Sequence, residues 1–194
     1  MELGEILDSF ALNLSRVFHP FLISVPAGLL FLYLSDLSIF DSVKWITLST
    51  SLTIVPTAFF MKFHPIYHLR DINSRESRNL LYLIGVVEIG FLGGILWFLK
   101  APELITILSY SVFLLAIVGG LINRFTKISL HVGVLSGFSA AFGFISLPLG
   151  LIGFLITLGV AWSRLRLDRH TYQQISLGVV IPASCIFVVF YTLI

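Results

Sequence analysis

Along this chain apolar residues gather into runs of about twenty, the length a helix needs to cross roughly 30 Å of hydrocarbon at about 1.5 Å per residue. Five runs are long enough to predict spanning helices, at 17–35, 45–62, 80–99, 103–122 and 175–194. A further stretch, 131–163, is too long for one upright span and short for two. Its middle reads FISLPLG, where Pro148 lacks the N–H that a helix interior needs and Gly150 adds backbone freedom. The stretch is therefore expected to break there into two short, tilted helices, which makes seven spans, with six as the alternative. Ahead of the first span, Leu3, Ile6, Leu7 and Phe10 recur at helical spacing and predict a short amphipathic helix at the membrane interface. The start of the chain has no basic end followed by an apolar core and a cleavage site, so no signal peptide is expected to be removed. No internal repeat, low-complexity segment or linker interrupts the pattern. The expected fold is all-α: a polytopic transmembrane helix bundle forming a single integral membrane domain over residues 1–194.

Composition agrees with the pattern. The chain is 57% hydrophobic and 11% charged, against about 25% charged in a soluble domain. Its one cysteine, Cys185, excludes an internal disulfide and a thiolate metal cage. The net charge of +2 gives no reason to expect nucleic acid, and no soluble protein partner is implied. The expected location is a multi-pass position in a prokaryotic cell membrane, among membrane lipids.

Charge changes the picture further, because it is gathered at one end of the bundle. With seven crossings, the N-terminus and the loops at 63–79, 123–130 and 164–174 face one side, and of the 12 lysines and arginines only Lys44 and Lys100 lie elsewhere. Basic residues beside spans hold loops in the cytoplasm, which accounts for most single arginines. Arginines kept for phosphate binding would bias the same count, so sidedness stays open. Topology explains neither the histidines nor their spacing. His170 and Gln174 lie four apart on one helical face, so the amide can hold one imidazole nitrogen and leave the other to react. Arg164, at the end of its span, can grip phosphate oxygens with paired hydrogen bonds. Lys127 and His131 repeat the four-residue spacing with Ser129 between them. Two histidines, a serine and several cations suit phosphoryl transfer.

At these residues the chain resembles the type 2 phosphatidic acid phosphatases, the lipid phosphate phosphatase superfamily. The family's third motif is Ser-Arg, five residues, His, three residues, Asp; Ser163, Arg164, His170 and Gln174 occupy those places, with Gln where Asp is usual. The second motif, Pro-Ser-Gly-His, is matched in KISLH by Ser129 and His131, while Ile128 and Leu130 replace Pro and Gly. In the first motif, Lys, six residues, Arg-Pro, Arg78 fills the arginine place, Asp71 falls on the lysine and Asn79 on the proline. The resemblance covers about residues 62–178. It implies His170 as nucleophile, His131 as general acid and later base, Arg164 and Arg78 as phosphate ligands, and Ser129 as a donor to a phosphate oxygen. It implies no metal and no cofactor. Lys127 and Arg75 are further phosphate-binding candidates on loop chemistry alone. Gln174 can orient His170 but supplies no charge, so Asp71 and Asp168 are candidates for an auxiliary acid.

The function implied is a membrane-embedded, metal-independent hydrolase of a lipid phosphate or an isoprenyl phosphate or diphosphate, working through a phosphohistidine. Two alternatives remain: phosphoryl or headgroup transfer to another acceptor, and a non-catalytic lipid-headgroup-binding or transport protein. Glu88, near the middle of the third span, is read as a hydrogen-bonded structural acid or part of a polar pathway. His64 and His68 are read as interfacial packing, since Pro65 disturbs helical geometry between them. His19, followed by Pro20 at the start of the first span, is read as structural. Gly85, Gly90, Gly93, Gly94, Gly119 and Gly120 are read as sites of close helix packing.

Overall fold

The computed structural model describes residues 3–63 and 75–194, with side chains in the last segment from residue 77 onward. Among these, nine helices occur and no strand: α1 (Leu3–Val17), α2 (Pro20–Leu34), α3 (Ile39–Leu52), α4 (Ile54–Phe63), α5 (Arg75–Phe98), α6 (Glu103–Asn123), α7 (Leu130–Ile145), α8 (Leu147–Arg166) and α9 (Tyr172–Leu193). Five lengths are long and apolar enough to cross a membrane: α3 with α4, α5, α6, α8 and α9. A sixth is reached if α1 and α2, bent by 55° at their junction, are taken as one, and α7 is shorter, at 16 residues. The protein is thus all-helical with several helices compatible with an integral, multi-pass membrane protein.

Three boundaries differ from the sequence pattern for identifiable reasons. The second span starts at Ile39 rather than 45 because Ser38 caps it: the Asp41 N–H donates to Ser38 Oγ at 3.0 Å, and Lys44 Nζ pairs with Asp41 at 3.2 Å. A cap with an acid in the first turn lets polar residues continue a helix outward from its apolar run. The first span begins at Pro20 rather than 17, since proline has no N–H to give the Arg16 carbonyl and suits the first position of a new helix. The break expected at Pro148 falls at Ser146, and Pro148 stands in the first turn of α8. It starts that helix instead of ending one, so α8 runs 20 residues and is not short.

Backbone contacts group the chain into two compact units, one of Met1–Phe31 with Ile128–Phe187 and one of Leu32–Lys127 with Val188–Ile194. In the first, α7 and α8 form an antiparallel hairpin whose helices nearly touch. A Cβ at Gly150 would lie 2.7 Å from Gly143 Cα, and Ser139 Oγ donates to the Gly150 carbonyl at 2.7 Å. Helix α9 meets α7 where Pro182 packs on Gly133, 3.3 Å from a Cβ placed there. Val132, Ala161 and Ile175, one each from α7, α8 and α9, form a buried cluster with Leu165 and Val179 around it. Helix α1 lies along the C-terminal half of α8 through Gly4, Asp8, Ala11 and Ser15, with the ring of Phe10 tilted against Trp162, while Leu3 and Ile6 are exposed. An amphipathic helix with its small and polar face docked and its apolar face outward is suited to lipid surroundings.

The second unit is built around the α5–α6 hairpin. Tyr82 packs on Gly119 and Gly120, Phe113 on Gly90 and Tyr110 on Gly93, so these four glycines make room for aromatic rings as expected. Gly85 comes within 4.0 Å of Ala116, whereas a Cβ at Gly94 would meet nothing within 4 Å. Glu88 accepts a hydrogen bond from Thr57 Oγ1 on α4, which meets the need of a carboxyl among apolar helices for a polar partner.

Candidate phosphate site

The residues of the second and third motifs all fall in the first unit, and local chemistry explains why each sits where it does. Helix α8 ends in a Schellman arrangement: the Asp168 N–H donates to the Leu165 carbonyl at 3.0 Å and the Arg169 N–H to the Arg164 carbonyl at 3.1 Å. Asp168 takes the left-handed conformation this cap needs, with φ 51°. The turn then delivers Thr171 as the N-cap of α9. Gln174 N–H donates to Thr171 Oγ1 at 3.3 Å, and the Thr171 N–H donates back to Gln174 Oε1 at 3.4 Å. This reciprocal pair is a capping box, written in the sequence as TYQQ, and it is the signal for Gln174 that motif matching alone passes over.

The box also fixes the chemistry of His170. Its Nδ1 lies 2.9 Å from the same Gln174 Oε1. Because a backbone N–H points at that atom, the atom must be the amide oxygen, and Nδ1 must carry the proton in the neutral ring. Nε2 is then the basic nitrogen. An amide can therefore select the reactive tautomer even though it contributes no charge.

The N-terminus of α7 is joined to this turn. Ser129 N–H donates to the Gln174 carbonyl at 3.4 Å, and a Cβ at Gly178 would come within 3.1 Å of the Ser129 carbonyl, so the start of α7 and α9 approach closely there. Ser129 is fully buried as the N-cap of α7, and its hydroxyl has no hydrogen-bond partner among the described residues. The first N–H groups of a helix lack intrahelical acceptors and favour negative charge. His131, two residues on, is half-buried and meets the ring of His19 edge to face, with centroids 5.2 Å apart and planes at 85°. Arg164 Nη1 donates to Ser15 Oγ at 2.8 Å. One unit thus brings together Ser129, His131, Arg164, His170 and Gln174, and adds Ser15 and His19 from the N-terminal segment.

Asp168 is exposed on the cap of α8, and Arg166, also exposed, pairs with Asp8 at 2.7 Å. Arg78 is buried near the start of α5 and Lys127 half-buried after α6, both in the second unit, where Asn123 Nδ2 donates to Asn79 Oδ1 at 2.8 Å. Asp71, His64, His68 and the side chain of Arg75 lie outside the described residues. No group of three or more histidine, cysteine or acidic residues suited to a metal ion occurs among the described residues. Comparisons with protein-family models, with curated proteins and with solved structures give no match.

Glutamate at position 174 tests what the amide lacks. It preserves the capping box, since Thr-x-x-Glu is as good a pair as Thr-x-x-Gln, and places a carboxylate on His170 Nδ1. A charge-assisted hydrogen bond exceeds a neutral one by about 1–1.5 kcal/mol, so on the phosphatase reading proposed below Gln174→Glu is expected to raise kcat about tenfold. Steady-state assay of the two proteins side by side measures this.

Proposed function

We propose that the protein is a membrane-embedded phosphatase of an amphiphilic phosphate ester, such as a phosphatidate, a phosphatidylglycerol phosphate or an isoprenyl phosphate or diphosphate. The observation that carries this reading is the environment of His170, whose basic Nε2 is selected by Gln174 in the same turn that binds the α7 N-terminus with Ser129 and His131. In the first step Nε2 attacks phosphorus, the ester P–O bond breaks, and the leaving oxygen takes a proton from the His131 imidazolium. In the second, neutral His131 takes a proton from water as its oxygen attacks phosphorus, the P–N bond breaks, and phosphate leaves. Negative charge on the equatorial oxygens is stabilised by Arg164 and by N–H groups at the start of α7. The replacement of Gly by Leu130 leaves those N–H groups in place, since every helical residue but proline supplies one.

With α1 and α2 as one bent crossing and α7 as a short one, the chain makes seven crossings. The ends of α8 and the starts of α7 and α9 then share one side, where a headgroup can reach them while its tail stays among the helices.

The test is phosphate release from a panel of these lipids by purified protein in detergent, with a chelator present. Release on at least one lipid, unchanged by chelator, is the expected result. Silence on the whole panel would remove the phosphatase reading, and loss of activity with chelator would remove its metal-free mechanism. Including a candidate alcohol distinguishes hydrolysis from transfer, because transfer yields a phosphorylated or headgroup-exchanged alcohol. A second reading, a headgroup-binding or transport protein, is favoured by the amide at 174 and by the Glu88–Thr57 pair; lipid binding or flux without phosphate release would select it.

A further inference from the structure

The break between α1 and α2 puts two residues against the motif side chains that the motifs themselves do not include. Helix α1 docks on the very pair that opens the third motif: Ser163 Oγ donates to the Ala11 carbonyl at 2.8 Å, and Arg164 Nη1 donates to Ser15 Oγ at 2.8 Å. Ala11 and Ser15 are buried in this contact. One turn later Pro20 ends the helix, and the residue before it, His19, stands at the elbow as the cap of α2, its carbonyl accepting from the N–H of Leu22 at 2.9 Å and of Ile23 at 3.0 Å. Its backbone is thus committed to the turn, while its ring lies edge to face with His131.

We propose that this elbow is a wall of the candidate site, in which Ser15 fixes the guanidinium of Arg164 and the ring of His19 sets the orientation of His131. The inference rests on the phosphatase reading for its kinetic consequences, though not for the contact itself. Both are positioning residues. A guanidinium tied to Ser15 points in a fixed direction, which a flexible side chain otherwise achieves only at an entropic cost. An edge-on ring restricts rotation of its neighbour, and such aromatic pairs have a preferred geometry.

The experiment compares Ser15→Ala, His19→Ala and His19→Phe in the full-length protein in detergent, by steady-state kinetics on a lipid phosphate and by the NMR resonances of the His131 ring, assigned through His131→Gln. His19→Ala is expected to lower kcat about tenfold with KM within about threefold, and to shift the His131 resonances. His19→Phe, which keeps a neutral ring, is expected to restore kcat to within about threefold. Ser15→Ala is expected to raise KM about fivefold. Wild-type kcat with an unmoved His131 resonance in His19→Ala would overturn the role of His19, and so would failure of phenylalanine to restore activity. An unchanged KM in Ser15→Ala would overturn the role of Ser15. If wild-type protein hydrolyses no lipid phosphate, the phosphatase reading fails, and the resonances alone decide whether His19 positions His131.

Discussion

Alanine in place of His170, the proposed nucleophile, is expected to lower phosphate release by at least about 10³-fold, because on the phosphatase reading it removes the covalent route and leaves only binding and electrostatics. The fold should survive, since the capping box joins Thr171 to Gln174 without the imidazole. Rapid acid-free quenching of wild-type protein with labelled substrate is expected to capture a phosphoenzyme that is labile in acid and stable in base, and His170→Ala should form none. His131→Ala separates the two steps. With an aryl phosphate, whose leaving group needs no proton, it should still form the phosphoenzyme but hydrolyse it slowly, because no base then activates water. Turnover in His170→Ala within about tenfold of wild type would rule out the phosphohistidine. The amide at 174 bears on the absolute rate. Replacing the carboxylate of a catalytic triad by an amide costs about 10⁴, much of it through the wrong tautomer. Here the amide oxygen accepts from Nδ1 and preserves the tautomer, so the deficit is confined to the missing charge.

Gly150→Ala is expected to be the most damaging of the helix-packing substitutions. The added Cβ would fall 2.7 Å from Gly143 Cα and 3.1 Å from the Ser139 carbonyl, both backbone atoms that no side-chain rotation can move aside. Forcing such a contact apart costs about 3 kcal/mol and lowers the midpoint of thermal unfolding by roughly 6–12 °C. The damage should reach the far end of the hairpin. Helices α7 and α8 carry Ser129 with His131 and Arg164 at the ends opposite Gly150, so a change of spacing or angle at the crossing displaces these groups relative to one another. Gly94→Ala is the control: a Cβ there meets nothing within 4 Å, and in an exposed helical position alanine is expected to be neutral or to stabilise by up to about 1 kcal/mol. Equal midpoints for the two variants would show that the close crossing does not hold the hairpin together.

Much of the architecture was legible because hydrocarbon imposes a length and a periodicity on any helix that crosses it. The all-helical class, the apolar lengths of α5, α6 and α9, and a break near Pro148 all follow from that constraint, as does the role of Gly90, Gly93, Gly119 and Gly120 in helix contact. Boundaries were less legible where a cap outweighed hydropathy, as at Ser38, and where proline started a helix instead of stopping one, as at Pro148. For the site, the four-residue spacing rightly paired His170 with Gln174, but not along a helical face: His170 stands in the turn ahead of α9, and the contact is made through the capping box of Thr171 and Gln174. The capping box in TYQQ was equally present in the sequence and gives Gln174 its structural reason.

Tertiary structure decided what no local pattern encodes: which segments distant in sequence touch. That α1 docks its small face, Gly4, Asp8, Ala11 and Ser15, and turns its apolar face outward depends on α8 offering Ser163, Arg164 and Arg166 as polar partners. The neighbourhood of His19 and His131 likewise exists only after the elbow and the α7–α8 hairpin have both formed. Sequence determined the kind of helices and the chemistry they carry, because these are properties of each residue and its near neighbours. Packing determined which of those side chains face one another, because that depends on surfaces more than a hundred residues apart fitting together, as Ala11 and Ser163 do.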